Sequence, residues 1–285
     1  MIAVRIEGRM GNQLFQYAFA YATAKKLGVK FYLDKSIETY LLIDFFNVKQ
    51  DAFQFFDTYL FGIKGYKNFF SYRLRAIFYQ NLKNLFGLKT EVFSNELDFE
   101  IQKFKIKDQL MFQGFFQSED YFASSKEEIK TLFEVKNHHQ VAFKKIAGNF
   151  PKDKRIIAIH IRRTDYLEMN FALPISYYHD AISEINPDQS FFVFVSDDPK
   201  FVENEFHYIK NKYISNHNAI TDFQFLIHSD VCIIANSSFS WWGAYLNKKK
   251  ATVIAPKYWS GFSTETEEPK GILLKNWIQK AITWN

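Results

Sequence analysis

Three short clusters of polar residues have the types and spacing that binding of a phosphorylated ligand requires. HIRRTDY (160–166) places two arginines directly after an apolar run, and arginine offers forked donors to phosphate oxygens. NSS (236–238) precedes a predicted helix, whose amino-terminal amides would join the serine hydroxyls in an anion site. GRMGN (8–12) has glycines that let a ligand approach the backbone closely. We therefore expect an anion-binding site built from these clusters.

A fourth cluster, SDD (196–198), has a different chemistry, because a carboxylate repels phosphate. One of its two carboxylates would accept hydrogen bonds from N1–H and the 2-amino group of guanine. The other would cap the helix that follows. Taken with the three phosphate-binding clusters, SDD predicts a guanine nucleotide that contains a pyrophosphate.

The elements that must position these clusters can be read from the second half of the chain. Continuous apolar strands alternate there with helices, which predicts a parallel sheet covered on both faces. The predicted strands are 155–161, 190–196, 212–215, 230–235 and 251–256, and the predicted helices are 174–185, 198–206, 221–229 and 238–247. Ligands of open α/β sheets bind at the carboxyl ends of strands, so three of the clusters would meet at one edge.

The start of the chain predicts a second α/β unit. A strand over 2–6, a glycine-containing turn, a helix and a strand over 29–33 form a βαβ unit. The helix has apolar residues at helical spacing, with Asn12 as a suitable cap and Gly28 as a suitable end. Because polar residues also follow the first strand, we expect two α/β domains that face each other across a cleft.

The boundary between these domains is predicted in the loop AGNFPKDK (147–154), which combines glycine, asparagine and proline. This boundary gives domains 1–150 and 151–285. Residues 40–150 mix helical and irregular signals, and only a helix over 126–135 is predicted there.

Composition narrows the classes of protein. The chain has 285 residues, 47% of them hydrophobic, and a formal net charge of +5, which is typical of a globular protein with an anionic partner. No nucleic-acid-binding module, histidine-rich metal site, signal peptide or membrane span is evident. The single cysteine, Cys232, lies in an apolar run and is expected to be a buried inert thiol. We expect a cytoplasmic protein whose charge is compatible with association at the inner face of the membrane.

The four clusters, with their flanking residues, resemble the α-1,2-fucosyltransferases of glycosyltransferase family 11. The resemblance is carried by GRMGNQLFQYAFAYA, HIRRTDY, FVFVSDDPKF and DVCIIANSSFSWWGAYLN, and it is weakest over residues 35–150. It implies a GT-B-type fold of two Rossmann-like domains, with the acceptor on the first domain and GDP-fucose on the second. It also implies inverting transfer of L-fucose from GDP-fucose to O2 of a terminal galactose in a glycan, with no metal or other cofactor.

The resemblance also implies roles for the matching residues. Arg162 would contact the β-phosphate and, with Asn12 and Asp165, form the catalytic set. Asp197 or Asp198 would read guanine, and we favour Asp198. The residues expected to bind the donor are His160, Arg162, Asp197, Asp198, Asn236, Ser237, Ser238, Phe239, Gly11 and Asn12.

The general base is left open by the sequence. Some related fucosyltransferases have a glutamate five residues after the aspartate of the arginine motif, but Asn170 stands at that position here. Asp165, Glu168 and Glu7 are the candidates, and Asp165 would also pair with a neighbouring arginine. Two other functions share the same donor pocket: a non-catalytic guanine-nucleotide-binding module, and a GT-B transferase that uses another nucleotide sugar.

Overall fold

The structure is a computed structural model of the chain, and it describes residues 1–56, 69–93 and 107–282. Strands and helices alternate along most of this length. The strands are β1 (Ile2–Arg5), β2 (Phe31–Asp34), β3 (Lys89–Val92), β4 (Leu110–Gln113), β5 (Arg155–Ile161), β6 (Ser190–Ser196), β7 (Lys212–Ile214), β8 (Val231–Ile233), β9 (Thr252–Pro256) and β10 (Ile278–Lys280). The helices are α1 (Met10–Leu27), α2 (Leu42–Phe45), α3 (Phe69–Leu85), α4 (Lys126–Leu132), α5 (Asn137–Ala147), α6 (Thr164–Glu168), α7 (Ile175–Ser183), α8 (Pro199–Glu205), α9 (Ala219–Ile227) and α10 (Ser238–Tyr245).

The first sheet has four strands in the order β2-β1-β4-β3, and all of its described pairs are parallel. Helix α1 connects β1 to β2, as the βαβ prediction requires. It ends at Gly28, whose φ of 66° lies in the left-handed region that glycine tolerates. The expected cap at Asn12 is wrong, because the helix already begins at Met10 and Arg9 is its N-cap.

The second sheet has six strands in the order β10-β9-β8-β5-β6-β7, again with parallel pairs. Its central strands are buried on both faces, which explains their unbroken apolar sequences. In β5, for example, Ile157 and Ile159 are fully buried. Cys232 of β8 is also fully buried, and burial raises the pKa of its thiol to about 12, so the expectation of an inert thiol is confirmed.

Helices α9 and α10 approach each other closely at Gly243. A Cβ atom placed there would lie 2.6 Å from Cβ and 2.7 Å from Cδ1 of Leu226. Carbon atoms do not pack at such distances, so only glycine permits this spacing of the two helices.

The chain divides into two compact units. The first comprises Met1–Glu134 with Pro269–Ile272, and the second comprises Val135–Glu268 with the residues from Leu273. Helix α5 belongs to the second unit, where Phe143 packs against Phe225 of α9 with ring centroids 5.2 Å apart. The units therefore divide earlier in the chain than the predicted boundary near residue 150, and the functions assigned to the two domains remain predictions.

The predicted α/β class is confirmed, since each unit contains a parallel sheet with helical connections. Within residues 1–56, 69–93 and 107–282, the structure has no helix with the length and apolar character needed to cross a bilayer.

Candidate active site

The carboxyl edge of the second sheet brings three of the predicted clusters together within one unit. Strands β8, β5 and β6 are neighbours, and NSS, HIRRTDY and SDD follow them in that spatial order. Parallel strands present all their carboxyl ends at the same edge, so short connections suffice to assemble a polar site there.

Arg162 is held between two carboxylates at this edge. Its Nη2 lies 2.6 Å from a carboxylate oxygen of Asp165, and its Nη1 lies 2.9 Å from Oδ2 of Asp197. The guanidinium carbon is 5.5 Å from the ring centroid of Tyr166. A guanidinium has five N–H donors, so these contacts orient the group and still leave donors for a ligand.

Asp197 connects the SDD cluster to the arginine motif. Besides Arg162, its carboxylate accepts hydrogen bonds from the backbone N–H of Arg163 at 2.9 Å and from the hydroxyl of Thr164 at 2.6 Å. These donors use most of the acceptor capacity of a carboxylate. Asp197 thus braces the loop that presents Arg162.

Asp198 is also engaged by its own chain. One carboxylate oxygen caps α8 by accepting a hydrogen bond from the Phe201 N–H at 3.1 Å. The other oxygen lies 3.5 Å from Nε of Arg163, whose guanidinium stacks 3.4 Å from the Phe201 ring centroid. The expected helix cap in SDD is therefore present, and reading of guanine by Asp198 remains a prediction.

A further carboxylate at the same edge, Asp222, was missed by the sequence reasoning. It lies in the first turn of α9, and the hydroxyl of Ser215, directly after β7, donates to it. Burial raises the pKa of Asp222 to about 6, because that serine is a weak substitute for solvent. In sequence, Asp222 looks like an ordinary acidic residue in the first turn of a helix, so no local signal distinguishes it.

The ring of Phe239 contacts the rings of His160 and Phe223. The ring centroid of Phe239 lies 5.2 Å from that of His160 and 5.4 Å from that of Phe223, the residue after Asp222. Burial, assisted by the charge of Arg162, lowers the pKa of His160 to about 3. His160 is therefore a neutral imidazole, and its buried Nδ1 has no hydrogen-bond partner among the described residues.

The NSS cluster leads into α10 as predicted. Asn236 is 3% exposed and donates through Nδ2 to the carbonyl of Phe171 at 2.9 Å. Ser237 is the N-cap residue, and its carbonyl accepts from the Trp241 N–H at 3.0 Å. The amides of Ser238 and Phe239 precede this first helical bond, so they are directed out of the helix end, where an anion is stabilised.

The GRMGN cluster belongs to the first unit and is held by residues that the sequence reasoning did not single out. Gly8 has a φ of 73°, and a Cβ there would lie 2.6 Å from Nδ2 of Asn12, so this position requires glycine. Two fully buried glutamines of α1 fix the surrounding loops. Gln13 donates to the carbonyls of Gly8 and Thr39 and accepts from Leu41, at 2.8–3.0 Å.

Gln16 performs the same role on the other side of the loop. Its Nε2 donates to the carbonyl of Gly114 at 3.0 Å, and its Oε1 accepts from the N–H of Glu7 at 3.1 Å. Polar residues on the apolar face of a predicted helix were the available signal for both glutamines. Gly11 is buried in the first turn of α1, and Asn12 accepts from Nε2 of Gln117 at 3.0 Å.

The three candidate bases lie in different surroundings. Asp165 pairs with Arg162, whereas Glu168 is exposed at the end of α6. Glu7 follows β1, and partial burial raises its pKa against the opposing charge of Arg5. Over the described ranges, no group of three or more His, Cys, Asp or Glu side chains is arranged to hold a metal ion.

The chain is similar to glycosyltransferases both in structure and in sequence. The fucosyltransferase NodZ from Bradyrhizobium has a similar structure, with a TM-score of 0.52 at 12% identity, covering 85% of this chain and 91% of that one. This likeness confirms the GT-B-type class with two Rossmann-like units.

Relatives in sequence extend over nearly the whole chain. The α-1,2-colitosyltransferase of Escherichia coli is 30% identical, with 91% of this chain and 92% of the relative covered. The O-antigen biosynthesis glycosyltransferase WbnK of Escherichia coli is 26% identical, with 96% of this chain and 98% of the relative covered. The match to a family description runs over residues 1–281 and includes every cluster described above, so the chain belongs to glycosyl transferase family 11.

Proposed function

We propose that this protein transfers L-fucose from GDP-fucose to O2 of a terminal galactose, with inversion at the anomeric carbon. The observation that supports it most is the orientation of Arg162 by Asp165 and Asp197 beside the amino end of α10. Fixed positive charge and outward-directed backbone amides are the groups that a pyrophosphate requires. We assign donor binding to the second unit and acceptor binding to the first. Gly11 and Asn12 remain predicted donor contacts.

The proposed reaction is a single displacement. A base takes the proton of the acceptor hydroxyl, its oxygen attacks C1 of fucose, and the bond between C1 and the β-phosphate oxygen breaks to release GDP. Because the donor is β-linked, attack from the opposite face gives an α-fucoside. Negative charge grows on the leaving phosphate, and Arg162 with the amides of α10 would stabilise that charge. Removal of one such donor would raise the barrier by about 3 kcal/mol.

Guanine recognition in this proposal uses Asp222 rather than Asp198 alone. Asp197 is bonded to the arginine motif and Asp198 to a helix end, whereas Asp222 accepts a hydrogen bond from the hydroxyl of Ser215. Its raised pKa shows a carboxylate that gains from further donors. N1–H and the 2-amino group of guanine would supply two of them.

The name of one relative supports both the α-1,2 linkage and a second candidate donor. The 30% identical relative is named an α-1,2-colitosyltransferase, and NodZ was solved with GDP-fucose soaked into the crystal. Colitose is fucose without its 3-hydroxyl group. A GDP-colitose donor is therefore the second candidate, and it needs the same guanine and pyrophosphate contacts.

The test is an assay of the full chain with GDP-fucose, GDP-colitose, UDP-galactose and ADP-glucose, each with a β-galactoside acceptor. Transfer from GDP-fucose, with an α-1,2 linkage in the NMR spectrum of the product, is expected. Faster transfer from GDP-colitose would establish the second donor instead. Binding of GDP without transfer to any galactoside would favour the non-catalytic module, and transfer from UDP-galactose alone would refute both donors.

A further inference from the structure

A cavity of about 280 Å³ lies in the second unit, at the edge of the sheet where β5 begins. Its floor consists of aromatic rings from α5, the loop before β5 and α9. The ring centroid of Phe225 lies 5.2 Å from that of Phe143 and 5.7 Å from that of Phe150. An apolar cavity of about 150 Å³ is sufficient for benzene, so this one can take a ring or a short alkyl chain.

The rim of the cavity is positively charged. Lys144, Lys152 and Lys249 line it, and no aspartate or glutamate is among the lining residues. Lys249 pairs with both carboxylate oxygens of Asp230 at 3.1 Å. Lys144 and Lys152 are exposed at the mouth, where they can meet a ligand without losing a structural contact.

His228 lines the cavity and is affected by its positive charge. Its ring stacks on Phe143, with centroids 5.1 Å apart and planes inclined by 22°. Burial, followed by the charges of Lys248, Lys249 and Lys144, lowers the pKa of His228 to about 4. Asp230 offsets the charge of Lys249, but Lys144 and Lys248 also act on His228, so a negative group placed here would be stabilised.

We propose that this cavity binds an anionic amphiphile, a molecule in which a phosphate or carboxylate group is joined to an alkyl chain. The chain would lie on the floor of Phe143, Phe150 and Phe225, and the anion would lie at Lys144 and Lys152. Either component alone uses half of the site, because a bare anion leaves the rings uncovered and a neutral chain leaves the lysines unpaired. A free amphiphile and an anionic membrane lipid share this chemistry.

This site is separate from the donor site. Ile156 lines the cavity at the start of β5, whereas Arg162 follows the end of that strand. A strand rises about 3.3 Å per residue, so the two positions are roughly 20 Å apart. The inference therefore does not depend on which nucleotide sugar the protein uses.

Octyl phosphate is the probe for the test, measured by calorimetry on the full chain. Wild type is expected to bind it more tightly than inorganic phosphate. The double variant Lys144→Glu with Lys152→Glu should weaken binding by about tenfold or more, because two attractive contacts become repulsive. The matched control, Lys145→Glu with Lys154→Glu, changes the net charge equally at residues that do not line the cavity and should bind as wild type does.

The apolar part is tested separately by Ala147→Phe, which fills the cavity and keeps every lysine. This variant should lose octyl phosphate binding, and it should also lose the rise in the pKa of His228 that octyl phosphate causes in an NMR titration of the wild type. Circular dichroism confirms that each variant is folded, and Phe150→Leu provides a second apolar test if Ala147→Phe is not.

Three results would overturn the inference: equal losses in the two lysine variants, inorganic phosphate binding as tightly as octyl phosphate, or unchanged binding in both apolar variants. Flotation with phosphatidylglycerol vesicles, against phosphatidylcholine vesicles, then identifies the source. Vesicle binding that falls only in the cavity variants assigns the site to a membrane lipid, and octyl phosphate binding without vesicle binding assigns it to a free amphiphile.

Discussion

Replacing Asp197 with asparagine separates the bracing of a loop from the reading of a base. The carboxylate of Asp197 accepts from Arg162, from the N–H of Arg163 and from the hydroxyl of Thr164. An asparagine keeps one acceptor oxygen, sufficient for the N–H of Arg163. Its NH2 group replaces the oxygen that accepts from Arg162 and Thr164, and this group cannot accept a hydrogen bond. We therefore expect Asp197→Asn to loosen Arg162 without removing it.

The magnitude follows from the exposure of these groups. The side chains of Arg162 and Asp197 are 15% and 18% exposed, so their charge-assisted bond is little screened and is worth about 2 kcal/mol. The exposed Thr164 hydroxyl adds about 1 kcal/mol. If all of this free energy is lost from the complex with a nucleoside diphosphate, the affinity falls by at most about 150-fold.

The assay compares GDP with inosine diphosphate, which keeps N1–H and the pyrophosphate but lacks the 2-amino group. Calorimetry on wild type and Asp197→Asn gives a double-mutant cycle between the residue and that amino group. Because Asp197 acts on the arginine loop, both nucleotides should weaken by the same factor, and their ratio should stay as in wild type. In Asp222→Asn, the matched variant, GDP should fall to the affinity of inosine diphosphate.

The opposite pattern would refute this reasoning. If Asp197→Asn weakened GDP and left inosine diphosphate unchanged, Asp197 would read guanine directly. If Asp198→Asn alone abolished the discrimination, the original expectation for that residue would be correct and Asp222 would have no contact with the base.

Five other results are expected. Arg162→Ala should lower turnover about 100-fold or more in a folded protein, and Arg162→Lys should rescue little because a point charge cannot serve two carboxylates and a phosphate; single-turnover rates near wild type would contradict this. GDP affinity should decline as the pH falls through about 6, because burial raises the pKa of Asp222 and its protonated form no longer accepts two bonds; calorimetry on Asp222→Asn should show no such step. By linkage, the proton on Asp222 stabilises the fold at low pH and this contribution is lost as the pH rises through about 6, so Asp222→Asn should gain stability over wild type above that pH in urea unfolding. Gln13→Leu should cost about 2–4 kcal/mol of unfolding free energy, since three part-buried backbone groups lose their partner, whereas Gln80→Leu on an exposed face should cost little. Turnover should be unchanged in EDTA, because arginine and backbone amides neutralise the pyrophosphate; loss of activity that Mn²⁺ or Mg²⁺ restores would contradict the proposed site.

The sequence predicted the second sheet well because its central strands are covered on both faces. Such strands are continuous apolar runs, as in RIIAIHI of β5 and SFFVFVS of β6, and no alternation confuses the assignment. The strands β3 and β10 were not predicted, since KTEV is exposed throughout and IQK almost so, and neither has the apolar pattern of a strand.

The candidate site was predicted at the level of clusters but not of contacts. Topology alone brings the carboxyl ends of β8, β5 and β6 together, which is why HIRRTDY, SDD and NSS could be grouped in advance. Which carboxylate pairs with which arginine depends on side-chain directions after each strand, and these have no signature in the sequence. Asp222 was missed for the same reason, because it reaches the site from a helix whose start looks ordinary.

The close packing at Gly243 has a consequence for the length of the ligand. Helix α9 holds Asp222 near its amino end, and α10 presents its first amides at its own amino end. In the proposed donor site these groups would contact the base and the phosphates, so the spacing of the two helices would set the interval between the two contacts. A nucleotide that makes both contacts must have a matching distance between its base and its phosphates. In this proposal a nucleoside diphosphate makes both contacts, and we expect a monophosphate, one phosphate shorter, to bind more weakly. The absence of a side chain at Gly243 thus determines the spacing of α9 and α10. Gly243→Ala would force α9 and α10 to shift relative to each other and would thereby alter the proposed interval, although it changes none of the groups assigned to the nucleotide.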